Sequence, residues 1–362
     1  MRITFTGDIL CYQSQDRHCR KKDGTYDYHP IYEQVKPLFV NSDYVVGSFE
    51  TTCSGREAGY TNADTCFNTP DAILTALKDI GFNLLTTANN HCLDRGEAGL
   101  RRTIFKIREA GMESTGTRFT VDEEPYIIKD LGGTKVAFLA YTYGTNSASN
   151  SNMLSADNSY MVNLTRPQDM PVRRPFWKKL VLAMIPKLLL PKRKRGVVGD
   201  CVSAFEVHSG RNSEYEQRML KTIKVVREKA DIVIMCLHSG GQFNNTVGQY
   251  TRHLFDIIAE AGVDAIICNH AHTTLPIYCR GNCLIASALG NFSFAPGEGY
   301  WVDGVQADYS AVLHIEIDNK RIKSYNVDIC KSSFTNDGIS ITHPVDLAMI
   351  EVREVNKRLS NE

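Results

Sequence analysis

Seven side chains in this chain of 362 residues could hold a metal ion or move a proton: Asp8, Glu50, Asn90, His91, His238, His270 and His272. Neutral imidazole, carboxylate and amide oxygen together suit a borderline divalent cation such as zinc, iron or manganese. His270-Ala271-His272 is the sharpest local piece. In an extended chain, residues two apart project to the same side, so both rings could reach one site. Taken singly, each residue has an ordinary explanation. A lone histidine after a strand is more often a satisfied surface or core side chain. Asp8 could cap a helix or close a turn, Asn89-Asn90 could favour a turn, and Glu50 could be a loop carboxylate. Their common placement is harder to obtain by accident.

Short β-branched runs alternate with amphipathic stretches, the pattern of a layered α/β fold. Residues 3–6 predict a strand ending at Gly7-Asp8, and residues 44–46 one ending shortly before Glu50. Residues 83–87 predict a strand followed by Asn90-His91, residues 231–237 one leading into His238, and residues 265–268 one leading into Asn269-His270. All seven candidates therefore fall just beyond the C-terminal ends of predicted strands, the edge at which open α/β sheets bind ligands. Side chains far apart in sequence would converge there. Helices are expected over 31–39, 71–80, 96–110, 213–229 and 250–261, several with proline or glycine punctuation. Residues 135–141 predict a further strand, 310–317 and 322–327 an antiparallel pair around Asn319, and 345–359 a final helix. The Ser- and Asn-rich run 144–158 reads as a flexible loop. Cys279 and Cys283 flank a turn signal and are expected to face each other across a hairpin, a reading preferred to a metal knuckle.

The candidates lie in runs that resemble, in order, the motifs of the CapA family. These runs are Gly7-Asp8, Gly47-Ser48-Phe49-Glu50, Ala88-Asn89-Asn90-His91-Cys92-Leu93-Asp94-Arg95-Gly96, His238-Ser239-Gly240-Gly241-Gln242, Asn269-His270-Ala271-His272 and Leu289-Gly290-Asn291-Phe292. That family comprises poly-γ-glutamate and capsule-synthesis proteins, a branch of the calcineurin-like metallophosphoesterase fold. The resemblance implies a layered, metallophosphoesterase-like β-sandwich flanked by helices. It implies one such domain over 1–330, with a basic insertion at about 144–200, and a C-terminal extension with a helix over 331–362. By position, Asp8 and His272 would serve a first metal, Asn90, His238 and His270 a second, and Glu50 would bridge them. His91 would face the substrate as general acid or transition-state stabiliser, a metal-bound water would attack phosphorus or an acyl carbon, and Asp8 would count with His91 as catalytic. The expected cofactor is manganese, iron or zinc, as one or two ions.

The sequence departs from the wider superfamily at Leu10, where phosphoesterases usually carry a histidine two residues after the first aspartate. It departs from the family's usual residues at Ser48, Ser239, Gln242, Asn269 and Ala271. Leu10 leaves the first metal fewer protein ligands, and Gln242 replaces a charged oxygen by an amide.

Composition narrows the rest. Basic and acidic side chains balance at 41 each, so no whole-chain attraction to nucleic acid is expected. No apolar run reaches the ~18 residues of a membrane span. Eleven scattered cysteines, with no export signal ahead of residue 3, read as reduced thiols of a cytoplasmic protein. Residues 171–195 combine nine cations with Phe176, Trp177 and the Leu-rich apolar stretch 180–190. Such a segment could lie on an anionic membrane surface, giving a peripheral position at the inner membrane face, or could fold back on the domain. The resemblance implies a metal-dependent hydrolase of a phosphorylated, γ-glutamyl or other cell-envelope substrate, or a non-catalytic capsule assembly factor on the same fold; a third reading is metal-free acid–base chemistry on a peptide, using Asp8 and a histidine.

Overall fold

A computed structural model of the chain describes residues 1–62, 66–171, 198–202, 210, 212–293, 306–335, 340–346, 355 and 357–360. In chain order the first half contains β1 (Arg2–Ile9), α1 (Gln13–Cys19), α2 (His29–Tyr32), β2 (Tyr44–Phe49), α3 (Ala72–Ile80), β3 (Leu84–Thr86), α4 (Gly96–Glu109), β4 (Glu113–Thr115), β5 (Tyr126–Leu131), β6 (Thr134–Thr142) and α5 (Ser147–Asn150). The second half contains α6 (Ser213–Arg227), β7 (Ile232–His238), α7 (Gln249–Glu260), β8 (Ala265–Asn269), β9 (Thr274–Arg280), β10 (Cys283–Leu289), β11 (Tyr309–Asp318), β12 (Arg321–Phe334) and β13 (Ser340–Pro344).

Two sheets result. One runs β13-β12-β11-β1-β2-β3-β4, the other β5-β6-β7-β8-β10-β9. At the heart of each sheet the strands are parallel: β1 through β4 in the first, and β6, β7, β8 and β10 in the second. Alternation of side chains at period two explains the layering. Ile3, Phe5, Val46, Val136, Phe138, Ile232, Ile234 and Ile267 point between the sheets and form one core. Their neighbours Val45 and Leu85 join Ile73, Leu77 and Ile107 of α3 and α4 on one outer face. On the opposite face, Leu139, Val233, Met235 and Ile266 pack with Met219, Ile223, Leu254 and Phe255 of α6 and α7. The molecule is thus the helix-flanked, two-sheet sandwich expected from the sequence.

Several details differ from the sequence expectations. The helix predicted over 31–39 is α2 followed by a 3₁₀ segment, Glu33–Phe39, that contains Pro37. Proline lacks the N–H and crowds the carbonyl four residues earlier, which disfavours continued α-helix. Cys279 and Cys283 do not face each other. Cys283 pairs with Arg280 and Cys279 with Leu284 across the β9–β10 hairpin, so the one-residue offset puts the two thiols on opposite faces. One is exposed, the other buried, and both are free. The strand pair around Asn319 forms as expected, with both Asn319 and Lys320 in the left-handed region. β12 continues to Phe334 and β13 adds an edge strand, so residues past 330 complete the first sheet. The basic segment 171–195 lies outside the described residues except for Pro171. Of the expected final helix, 347–354 and 356 also lie outside them, while Val355 and residues 357–359 are helical. Among the described residues, no helix is long and apolar enough to cross a membrane.

Candidate metal centre

The parallel strands of both sheets end on one rim. β1 brings Asp8, and Glu50 follows β2 directly. The turn after β3 carries Asn90 and His91, β7 ends on His238, and the turn after β8 carries His270 and His272. The two sheets are stitched together here. The Asp8 N–H donates to the Gly290 carbonyl at 2.9 Å, and Phe292 N–H donates to the Asp8 carbonyl at 2.8 Å. Gly7 makes this approach possible, because a Cβ there would sit 2.0 Å from the Gly290 carbonyl oxygen.

All seven predicted residues meet in one buried cluster. Two donor sets have their ligand atoms mutually within 4.8 Å: Glu50, His238 and His270; and Asp8, Glu50 and His272. Glu50 belongs to both. Asn90 Oδ1 lies 2.7 Å from His238 Nε2, which in turn lies 3.2 Å from His270 Nδ1 and 3.4 Å from Glu50 Oε1. Donors at right angles on one ion, with bonds of about 2.1 Å, are roughly 3 Å apart. The spacing of the Asn90, His238, His270 and Glu50 atoms fits that arrangement.

Glu50 supplies the clearest sign of a cation site. It is fully buried, and neither carboxylate oxygen has a hydrogen-bond partner. A buried polar atom left unsatisfied costs about 1–3 kcal/mol, and more when charged. Burial alone would push this carboxyl up, but His272, His238 and His91 together hold it well below the usual carboxylate range. Asp8 moves the other way. Burial and then the Glu50 charge raise its pKa, against the hydrogen bond from Ser48 Oγ at 2.7 Å and that from the His270 N–H at 2.9 Å. Burial also pushes the His270 and His272 imidazoles below their ordinary range, and the neighbouring imidazoles add to the effect. Metal ligation requires neutral imidazole and ionised carboxylate; the lowered His270 and His272 and the lowered Glu50 lean that way, whereas Asp8 would need a cation to offset the Glu50 charge.

The route by which His270 and His272 reach the cluster is not the extended one expected. Their φ angles are +102° and +55°, both in the left-handed region. Such backbone costs on the order of 1–3 kcal/mol per residue and persists where the surroundings hold it. Here the holding is visible: the His270 N–H is fixed by Asp8 Oδ2, and His272 by Asn291. The turn sends the two rings to different donor sets.

The chain matches the model of the family described as "Bacterial capsule synthesis protein PGA_cap" over residues 2–296. It belongs to that family. The "PGA biosynthesis protein CapA" of Bacillus subtilis (strain 168) is 24% identical over 301 residues, covering 82% of this chain and 64% of that protein. The "Capsule biosynthesis protein CapA" of Bacillus anthracis is 24% identical over 303 residues, covering 82% and 60%. The chain thus spans less than two thirds of the length of these relatives. Among solved structures, a Thermus thermophilus protein described as hypothetical aligns with a TM-score of 0.47 and 10% identity, over 91% of this chain and 99% of that one.

In this PGA_cap chain, several residues around the cluster had no role assigned from sequence. Asp94 Oδ2 lies 2.7 Å from His91 Nδ1. A carboxylate can only accept, so Nδ1 carries the hydrogen and Nε2 faces the site, 3.9 Å from Glu50 Oε1. Asn291 does the same for His272. Its amide N–H groups are committed to the carbonyls of His272 and Ala307, so its Oδ1 must accept from His272 Nδ1, at 2.7 Å. That turns the Nε2 lone pair toward Glu50, 3.8 Å away. Such partners fix the tautomer of a metal-binding histidine. The i, i+3 spacing of His91 and Asp94 was a readable signal; the 19-residue gap from His272 to Asn291 was not.

Rings line the mouth: Phe67 against His91, Tyr143 against His270 and Phe243 against His272. Leu10 packs in an apolar cluster with Tyr12, Phe243, Ala307 and the same Phe67. The loop read as flexible from sequence is tied to the site. Asn152 donates to the Leu93 carbonyl at 2.7 Å, Asn150 to the Thr145 carbonyl at 2.8 Å, and Asn146 Nδ2 lies 3.5 Å from His91 Nε2. Gln242 spends its backbone on pairing with Val198.

Proposed function

We propose that this chain is a metal-dependent hydrolase of a phosphoester or amide bond, acting in the production of a capsule or other cell-surface polymer. The observation that carries this reading is Glu50, a buried carboxylate with neither oxygen hydrogen-bonded, shared by two donor sets. Asp8, Glu50 and His272 would hold one divalent ion; Glu50, Asn90, His238 and His270 would hold another. When bound, such ions polarise the scissile group and lower the pKa of water toward neutrality. The chain's own residues do the rest. His91, held by Asp94 through Nδ1, presents Nε2 to the leaving group and delivers its proton there. The Asp94 carboxylate stabilises the imidazolium before transfer. Phe67 and Tyr143 help to screen the cluster from water. The names of the two Bacillus relatives support capsule or PGA production as the setting, with a phosphorylated or γ-glutamyl polymer precursor as substrate class.

The test is metal analysis of protein purified without chelator, paired with phosphodiesterase and γ-glutamyl hydrolysis assays on wild type, Asp8→Asn and His270→Ala. Bound manganese, iron or zinc, with turnover lost in both variants and on chelation, is the expected result. Turnover that survives chelation would point instead to metal-free acid–base chemistry by Asp8 and a histidine. One observation favours a second reading, a non-catalytic assembly factor: Leu10 leaves the Asp8–His272 half with three protein ligands. Metal without turnover on any of these substrates would establish it.

We further propose a cytoplasmic location, with residues 171–195 resting on the inner membrane face. Co-sedimentation of wild type with anionic vesicles, and its loss on deleting 171–195, is the expected outcome.

A further inference from the structure

The C-terminal segment reaches the rim of the cluster through one side chain. Val355 and Leu359 are four residues apart on a helical stretch, and both are buried in the core between the sheets. That anchoring sets Arg358 beside three separate loops. Its Nη1 donates to Thr273 Oγ1 at 3.1 Å and to Asn245 Oδ1 at 3.2 Å, and its Nη2 donates to Gln306 Oε1.

Each of those loops is linked to His272, the third through Asn291. Thr273 is its chain neighbour. Asn245 lies two residues from Phe243, whose ring packs on the His272 ring with centroids 5.5 Å apart. Gln306 precedes Ala307, whose carbonyl accepts from Asn291 Nδ2, and Asn291 Oδ1 accepts from His272 Nδ1. A planar guanidinium carries five donors in a fixed fork, so it can span several acceptors where lysine cannot. His272 needs this support because its backbone sits at φ +55°. Both Gln306 and Arg358 lie beyond residue 296, where the family match ends.

We infer that Arg358 is a positioning residue for His272, and that the C-terminal segment completes the Asp8–His272 half of the centre. The inference rests on the metal reading above only for its second readout. The first readout is metal-free: histidine-ring NMR of the full chain, comparing wild type with Arg358→Ala and Arg358→Lys. The His272 ring resonances shift or broaden in both variants, more in Arg358→Ala, while those of His238 stay in place. The second is manganese titration of the same proteins. One of two binding steps weakens by about tenfold or more, as expected when an outer partner of a ligand is lost, and the step lost in His270→Ala stays intact. Unchanged His272 resonances in Arg358→Ala would overturn the inference. So would equal weakening of both manganese steps, which would mark a general loss of structure. Wild type that takes up no manganese, iron or zinc would sink the metal reading, while the ring resonances would still decide the role of Arg358. Arg358→Lys preserves the long stem and the charge, so it serves if the alanine variant does not fold.

Discussion

Two carboxylates buried in this molecule meet opposite fates. Glu50, on the rim where the sheets join, is fully buried and yet held ionised, below the usual carboxylate range. Asp16, on α1, is almost as buried, and its pKa is pushed up to about 7. Burial acts on both in the same direction. The difference is the company: imidazoles from three segments face Glu50, whereas only the Tyr28 hydroxyl offsets the burial of Asp16. Depth alone therefore does not mark a site. A site is marked where donors of complementary charge converge from separate strands; an unpartnered oxygen does not suffice, since Asp16 Oδ2 also lacks a hydrogen-bond partner.

The contrast breaks most sharply at Glu50. Glu50→Gln keeps the shape, removes the charge common to both donor sets, and should reduce bound metal to background by elemental analysis. Asp16→Asn should leave metal content at the wild-type level. If both variants keep their metal, the contrast between the two carboxylates fails. Next in size is His91→Gln, which should lower kcat by about 10²–10⁴-fold with metal content unchanged, as for a lost general acid. Asp94→Asn should follow in the same direction with a smaller loss, because the ring remains but its tautomer is no longer fixed.

A finer cut separates the two halves of the centre. His270→Ala should remove one manganese-binding step and Asp8→Asn the other, read by calorimetric titration. Loss of both steps in each variant would mean that the two halves bind only together, and a single step in the wild type would mean one ion shared by all the ligands. The smallest effect belongs to Asp16 and is a matter of pH. Its folded pKa of about 7 lies above the ordinary 3.8. Between these values the unfolded chain releases the proton first, so the folded state binds more protons and stability falls as pH rises. The decline should span about pH 4 to 7 and level off above it. It should amount to no more than a few kcal/mol, on the order of 1.4 kcal/mol for each pH step of one between the two values. Asp16→Asn should flatten that slope in denaturant titrations at pH 4, 5.5 and 7.5. A wild-type slope unchanged by the substitution would remove Asp16 as its source.

Much of the site was legible because strand ends are local events. The runs before Asp8, Glu50, His238 and His270 are short and β-branched, and they stop at glycine or polar residues, so their rim placement could be read directly. The helix break at Pro37 and the offset of Cys279 from Cys283 were misread for equally local reasons, one residue of helix type and one residue of register. Composition marked the Ser- and Asn-rich run as a loop but not its ties to the turn that carries His91, where Asn152 donates to the Leu93 carbonyl and Asn150 to Asp94 Oδ1. No pattern in sequence pairs Asn291 with His272, or Arg358 with Thr273.

By itself, the order of residues determined the layered class of the fold, its strand and helix succession, and the identity of the side chains gathered at one edge. Those depend on periodicity and punctuation, which act over a few residues. Only the tertiary structure decided which donors stand close enough to share an ion, that His270 and His272 diverge through left-handed backbone, and that Arg358 of the C-terminal segment reaches Thr273, the neighbour of one of them. The physical reason is distance along the chain. The pairing of Asp8 with Asn291 and the reach of Arg358 across three loops are set by how the two sheets close on each other, and that closure is fixed by the packing of the whole core.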